Sequence, residues 1–547
     1  MRKMGRMRQE ANAQPEFTCI AQKEGVIPGI CRRGAGNIDC FRTREVKLNM
    51  EYINSWQDIQ WSSIEDKVFR LQLRIYKAAA NQDWEKVHKI QRLLISSKFA
   101  KYLAVRRVTE NNAGKKTSGV DKLIISFPRE KFTLANSLKI DGKSSPIRRT
   151  YITKSDGNQR PLCIPTIEDR AKQTLAYLAL CPEWEAKFEP ESYGFQPSRS
   201  VLDAIEAVSL GISKKPKWVL NVDISKCFDR INYDYLLDKC NTFPEMKKQL
   251  QAWLKEGFLD GEDHIFPELG TPQAGSIFSL LVNIALHGLR TELDIYINKL
   301  PGYKSNNRQS LTYVRYAQNL IIMYPDKNTI QEIKLIIQKF LKPIWLELHP
   351  TKTRIAHTFK TTSPYDTGFT FLGFDIIQKR IGSKIRIATK KQKPKQQFIT
   401  LITPSKASLQ IHKRKIRDTI RRYRGVSQER LIQCLNLITR SWTLSKSKIT
   451  RISSKIFQNL DQFLFIQLWK WARKRHPKMP QLKLKAKYWH TVGKSNWIFG
   501  IKKDYKVTIS LQMHSKIPIQ RHVKGIECPF DRNPIYEATK TAKSQFH

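Results

Sequence analysis

One long stretch of this chain is almost without acids. Between Ile381 and Gln520 stand 33 Lys or Arg and only four acids, Asp418, Glu429, Asp461 and Asp504, a surplus of 29 charges over 140 residues. Like charge at that density opposes collapse. Such a segment can be compact only by burying narrow apolar stripes and turning its cations outward, which is the pattern of amphipathic helices. The spacing supplies them. Leu409, His412, Ile416, Ile420 and Tyr423 share one helical face, with Lys413, Arg414, Arg417, Arg421 and Arg422 on the rest and Gly425 placed to stop the helix. Ser427 can cap a second helix with a stripe of Leu431, Cys434 or Leu435, Ile438 and Trp442. A third carries Phe457, Leu460, Leu464, Leu468 and Trp471 and ends at Pro477. Trp442 and Trp471 are expected in the core.

The whole 547-residue chain carries +49, so the other 407 residues hold the remaining +20. That balance calls for a polyanionic partner, nucleic acid ahead of an anionic membrane surface, and disfavours a small-molecule enzyme. No apolar run approaches a membrane span, and Met1–Glu10 lacks the apolar core of a secretory signal. The nine cysteines include no C-x-x-C pair, so they are expected to be reduced thiols rather than zinc ligands or a disulfide framework.

Upstream of the basic region the pattern changes twice. Residues 1–49 show no sustained periodicity and read as an N-terminal extension, partly disordered. Residues 50–135 are helical: Ser62 and Glu65 have capping-box spacing, followed by Val68, Leu71 and Ile75, and Asp83 can cap a second helix with Val87, Ile90 and Leu94 on one face. Over 136–380, short β-rich runs (Trp218–Val222, Leu311–Val314, Leu320–Met323, Phe369–Phe374) alternate with helical stretches, which predicts an α+β unit with a mostly antiparallel sheet. Residues 381–500 form the basic helical region and 501–547 a short basic tail.

Two segments carry the chemistry. In the first, Val219 to Asp229, an apolar strand ends in Asp223, with Phe228 five residues on; a carboxylate at a buried strand end suits a hard divalent cation such as Mg²⁺. A helix N-cap would explain the same Asp. In the second, Tyr313 to Met323, apolar flanks enclose Gln318 and Asn319 as in a tight hairpin.

Together these segments resemble the palm of a reverse transcriptase, where the hairpin reads Tyr-Ala-Asp-Asp and supplies further metal ligands. The resemblance continues through Tyr151–Lys154 with Arg160–Thr166 and Asp169-Arg170-Ala171, Ser192–Ser200, Gly270–Gly275, Leu346–Thr353 and Phe371–Phe374. In order and spacing these match proteins encoded inside group II introns. Trp61–Thr109 is similar to their N-terminal region; Arg440-Ser441-Trp442, Trp469–Pro477 and Asn496-Trp497 are similar to their maturase domain, also called domain X. The likeness runs from about Trp56 to Tyr536. It implies a right hand of fingers and palm, then a helical thumb. It implies Lys154 and Arg170 on a triphosphate, Phe228 as sugar gate and Gln273 beside the base.

The sequence departs from the family where the chemistry sits. The hairpin holds Gln318 and Asn319 where active members have two Asp, so of three carboxylates only Asp223 survives. Two-metal nucleotidyl transfer needs clustered negative charge, and neutral amides hold Mg²⁺ far less well. DNA polymerisation is therefore expected to be lost or severely reduced; a shifted carboxylate such as Asp229 would have to compensate. The loop reads Gln273-Ala274-Gly275 where two Gly are usual, and Phe278-Ser279-Leu280-Leu281 replaces Ser-Pro-Leu-Leu. The family's nuclease module is expected to be absent, leaving no endonuclease.

What persists is the cationic surface. Lys413, Arg414, Arg417, Arg421, Arg422, Arg440, Lys446, Arg473, Lys474 and Arg475 are the candidate RNA contacts. The expectation is a splicing maturase that grips its host intron RNA and flanking exons while the ribozyme uses its own Mg²⁺. An active reverse transcriptase supporting intron mobility, with dNTP and a DNA target, is the alternative. An organelle, mitochondrion or chloroplast, is expected ahead of a bacterial cytoplasm, and no membrane partner.

Overall fold

A computed structural model of the chain describes residues 55–153, 159–225, 227–260, 263–265, 275–359, 366–380, 398–447, 454–493, 495–503, 506–518, 522 and 528–530. The N-terminal extension lies outside them. The chain divides into two compact units that interleave in sequence: residues 1–186 with 240–280, and residues 187–239 with 281–547.

The first unit opens with the helices Trp61–Ala80, Trp84–Ser96 and Lys98–Arg106. Asp83 caps the second by accepting from the Lys86 amide, and Val87, Ile90 and Leu94 are buried on one face, as the spacing predicts. The predicted Ser62–Glu65 box does not form. The helix begins two residues earlier, with Gln60 at the N-cap, and Glu65 instead meets Arg106 at 3.0 Å; a tertiary ion partner has displaced a local cap. The helical chain then passes through a π-turn, Arg107–Asn111, whose Glu110 gathers Trp56 Nε1 and Lys131 Nζ, each at 2.8 Å. Burial works against this carboxylate, but the hydrogen bonds from Lys131 and Trp56 hold it below the usual range. The helix Ile167–Lys187 joins the bundle through buried amides: Gln72 donates to the Leu178 carbonyl and Gln91 to Glu183. A four-stranded sheet, with Gln159–Ile164 at one edge, Ile147–Thr153 beside it, then Phe258–Asp260 and Asp263–Ile265, completes the unit.

The second unit holds the predicted antiparallel sheet. The strand Trp218–Ser225 lies at its centre, with Arg354–His357 on one side and Asn319–Tyr324 on the other, followed by Thr312–Tyr316; Glu347–Leu348 pairs with its far end. Val219, Val314, Ile321 and Met323 pack on Ala204, Ile205 and Val208 from the helix Val201–Gly211. The run Phe369–Phe374 is not one strand. Leu372 and Gly373 both take positive φ (47° and 76°), so the chain reverses there and Phe374–Arg380 pairs back on Phe369–Phe371. Leu-Gly is an unusual pair for that turn, which hid it in the sequence.

The thumb is built on the helices Lys406–Arg422, Gln428–Ser447 and Ser454–Arg475. Ile416, Ile420, Leu431, Leu435, Leu464, Leu468 and Trp471 form its core, so Leu435 rather than Cys434 faces inward. The three helices are the expected ones, but the domain does not stay helical all the way to its expected end at residue 500. Instead the chain turns to a three-stranded sheet at Trp489: Trp489–Val492, Ser495–Lys503 and Lys506–Ser510. Trp489, Phe499 and Leu511 complete the helical core. The beaded cations of this stretch masked its short alternation. Among the described residues no helix is long and apolar enough to cross a membrane.

Candidate functional site

The predicted hairpin exists, one residue earlier than its polar centre suggested. Tyr316 pairs with Asn319, so Ala317 and Gln318 make the turn, with Ala317 at φ 53°. Asn319 opens the returning strand and lies directly opposite Asp223. The Gln318 carbonyl accepts from the Ile224 amide at 3.1 Å, and the Asp223 carbonyl from the His349 amide at 2.7 Å. Backbone pairing thus brings Asp223, Gln318 and Asn319 to one end of the sheet, where the resemblance places a metal site.

The hairpin is braced from behind by residues that sequence reasoning passed over. Arg315 is fully buried; its guanidinium donates to Asn283 Oδ1 (2.9 Å) and reaches Glu189 Oε2 (3.4 Å). Glu189 also takes His287 Nδ1 at 3.1 Å and the Gly288 amide at 2.6 Å. Burial alone would raise the Glu189 pKa, but His287 and Arg315 bring it down to about 2. The 189–194 segment lies along the hairpin strand, its Tyr193 amide donating to the Arg315 carbonyl at 2.8 Å. A Cβ on Gly194 would sit 2.2 Å from the Ala317 nitrogen, so that approach requires glycine. A Glu and an Arg 126 residues apart carry no local signal that they pair.

The electrostatics at the tip are those of a closed ion pair. Asp223 Oδ2 lies 3.1 Å from Lys352 Nζ. Among the described residues the tip therefore presents one carboxylate, already countered by an ammonium, beside two amides. Among the described residues no three His, Cys, Asp or Glu side chains converge. This donor set does not fit a pair of divalent cations, which needs several carboxylates to balance its charge. The side chains of Phe228 and Asp229 lie outside the described residues, as do Lys154 and Gln273.

Arg170, expected on a triphosphate, is buried in the first unit. It donates to the main-chain carbonyls of Gly114 and Thr117 and approaches that of Thr166. It ties the 114–117 turn to the helix Ile167–Lys187, a structural use that fills three of its donor directions. Next to it, Asp169 accepts from Thr166, Ser145 and Trp253 and is raised in pKa by burial. At Gly275 (φ 124°) a Cβ would overlap Gln173, so the second glycine position of that loop is obligatory.

The thumb candidates sort into two groups. Arg414, Arg417, Arg421 and Arg422 project from the first helix and Arg440 from the second, all exposed; Arg473 and Lys474 are exposed on the last turn of the third. Spacings of three and four put Arg414, Arg417 and Arg421 on one face. Asp418 stands beside that face, 4.0 Å from Arg421. The others have internal work. Lys446 sits 3.9 Å over the Phe374 ring, Lys413 5.3 Å over Phe463, and Arg475 lies over Trp471 and donates to the Val426 carbonyl. Trp471 is buried as expected. Trp442 is half-buried, stacked on His412 at 4.3 Å.

A palm sheet of this order, its hairpin opposite Asp223, and a helical thumb behind it define the right hand of a reverse transcriptase. Family models agree: residues 56–138 match the N-terminal domain of reverse transcriptase, 152–376 reverse transcriptase (RNA-dependent DNA polymerase), and 409–489 the maturase-specific domain of group II introns. Similar proteins include YkfC of Escherichia coli, 29% identical over 360 residues (58% of this chain, 91% of the relative). Maturase-like protein 1 of Euglena gracilis is 30% identical over 245 residues (43% and 52%). The group II intron-encoded protein LtrA of Lactococcus lactis is 28% identical over 361 residues (54% and 58%). The chain spans about half the length of the latter two, and its relatives come from bacteria and eukaryotes alike. The three models follow one another in the order of a group II intron-encoded reverse transcriptase and maturase, and the chain carries Gln318-Asn319 in the place of the two hairpin aspartates.

Proposed function

We propose that this protein is a maturase that binds its host intron RNA and promotes its folding and splicing, and that its own polymerase chemistry is lost. The observation that carries the reading is the contrast at the palm tip: a single carboxylate, Asp223, countered by Lys352, while the thumb keeps an arginine face with almost no acids against it. Packing intron helices together costs phosphate repulsion, and a protein surface that neutralises phosphates lowers that cost. Mg²⁺ belongs, on this reading, to the ribozyme that performs the transesterifications. Lys154, Phe228 and Gln273 then act as packing or template contacts rather than on a nucleotide. We keep a mitochondrion or plastid as the compartment, supported by the maturase-like and intron proteins of eukaryotes among its relatives.

The test is to sequence RNA that co-purifies with the protein, then assay splicing of that intron with and without it. Accelerated splicing, together with no primer extension in Mg²⁺ or Mn²⁺, is the expected result. Robust cDNA synthesis abolished by Asp223→Ala would establish the polymerase instead.

A further inference from the structure

The small sheet that closes the thumb exposes an aromatic which packing alone does not explain. Trp497 is 45% exposed and takes φ 63°. Left-handed backbone is rare for a bulky aromatic and persists only where its surroundings enforce it. The strand pairing slips at this point: Trp489 faces Phe499 and His490 faces Ile498, but Val492 then faces Ser495. The slip leaves Thr491 against Asn496 and Trp497, with Thr491 Oγ1 donating to Asn496 Oδ1 at 2.9 Å. A bulge of this kind re-aims side chains, and here it turns the indole outward.

The surroundings select what the indole would meet. Lys485 Nζ stands 3.9 Å from the centroid of the Trp497 ring. Phe465 meets the ring edge-on at 6.0 Å and is itself anchored by Trp469 and Trp489, at 5.9 and 5.6 Å. The platform is thus fixed to the thumb core. Lys483 and Lys487 are exposed on the helix that carries Lys485, and the sequence has no acid between Asp461 and Asp504. A rigid exposed aromatic beside a cation, on a stretch of chain without acids from residue 462 to 503, is the pairing that holds single-stranded nucleic acid, the base on the ring and the phosphate on the cation.

We propose that Trp497 and Lys485 form a subsite for one unpaired RNA nucleotide. The inference rests on the RNA-binding reading above and adds to it a base-stacking position apart from the arginine face. It is tested on the full chain with two probes: a twelve-residue oligouridine carrying one 4-thiouridine, and a blunt RNA duplex of twelve base pairs. Trp497→Ala should weaken oligouridine binding by about five- to a hundredfold and leave duplex binding unchanged, which also shows that the variant is folded. Trp497→Phe should keep most of the affinity. Lys485→Ala should reduce the salt slope of oligouridine binding by about one. Ultraviolet cross-linking should join the thiouridine to the peptide containing Trp497. Wild-type oligouridine affinity in Trp497→Ala, with duplex still bound, overturns the subsite and spares the broader reading. A wild-type protein that binds neither probe overturns both.

Discussion

The palm hairpin and the first thumb helix have kept opposite things. At the hairpin the backbone pairing is complete: Asn319 opposite Asp223, Gly194 pressed against Ala317, and Arg315 buried on Glu189 and Asn283. Its tip carries Gln318 and Asn319 where the reverse transcriptase motif has two Asp. On the helix Lys406–Arg422 the frame is unremarkable, three buried residues per four turns, while the outward cations persist. The comparison shows that the interactions holding the palm together are separate from those that would make it catalytic. The Arg315 side chain is held by Asn283 and Glu189 rather than by the residues of the turn, so the identity of residues 318 and 319 is not what this brace depends on.

That separation is broken most directly by Arg315→Leu. The substitution leaves the Glu189 carboxylate buried with only the His287 ring and the Gly288 amide of its named partners, and removal of one member of a buried pair costs about 3–5 kcal/mol. Denaturant titration should show a loss of that size. A neutral outcome would mean the palm does not depend on its charged brace.

The thumb is tested by changing Arg414, Arg417, Arg421 and Arg422 to Gln together. All four are exposed, so stability should move little. Affinity for the intron RNA should fall on the order of a hundredfold at physiological salt, with the salt slope reduced by about 3. An unchanged slope would place the phosphate contacts elsewhere.

Acid should separate the two regions again. Burial, with His514 and Lys415 nearby, lowers the His412 pKa to about 3. Its ring lies 2.8 Å from that of His514, which is held in turn by Asp461. Below the ordinary value of 6.5 the unfolded chain takes up a proton at this position that the folded thumb refuses until about pH 3. The unfolded state then binds more protons, and thumb stability falls with pH across that window, by up to about 1.4 kcal/mol per unit. In the palm, Glu189 works from 4.5 down to about 2: the unfolded chain protonates there first, so this contribution is retained above pH 4.5 and lost beneath it. Hydrogen-exchange protection, corrected for the intrinsic rate at each pH, should therefore fall at pH 5.5 across Lys406–Arg422 before it does across Thr312–Tyr324, and His412→Gln should flatten the thumb's response.

The legible parts were those with local signals. Asp83 as a cap, the Val87-Ile90-Leu94 face, the stripe of the third thumb helix and the two strands about Asp223 follow from spacing alone, and the ordered motifs supplied the right hand. What escaped was long-range. Glu65 chose Arg106 over its own helix cap, and Arg170 was drawn into the carbonyls of Gly114 and Thr117. Lys446 and Arg475 carry the same charge as Arg417 but turn to Phe374 and Trp471. Charge count locates a basic surface; it does not say which cations the fold consumes. The terminal sheet was hidden because cations punctuate its short strands and a bulge breaks its pairing between His490 and Val492.

The smallest expected effect is the most discriminating. Asp223 is the one surviving carboxylate of the three, and in a working palm its loss would end synthesis. Here its side chain is 18% exposed and its partner Lys352 62% exposed. Such a pair contributes at most about 1 kcal/mol, because solvent already serves the ammonium. Asp223→Ala should leave stability, intron affinity and splicing close to wild type, and primer extension at background before and after. Restoring Asp at 318 and 319 sharpens the same point. With three carboxylates opposite a single lysine, the tip regains the charge to draw divalent cations, and isothermal titration with Mn²⁺ should detect binding in Gln318→Asp/Asn319→Asp that the native pair lacks. Equal Mn²⁺ binding in both proteins would show that the two amides were never what separated this palm from a polymerase.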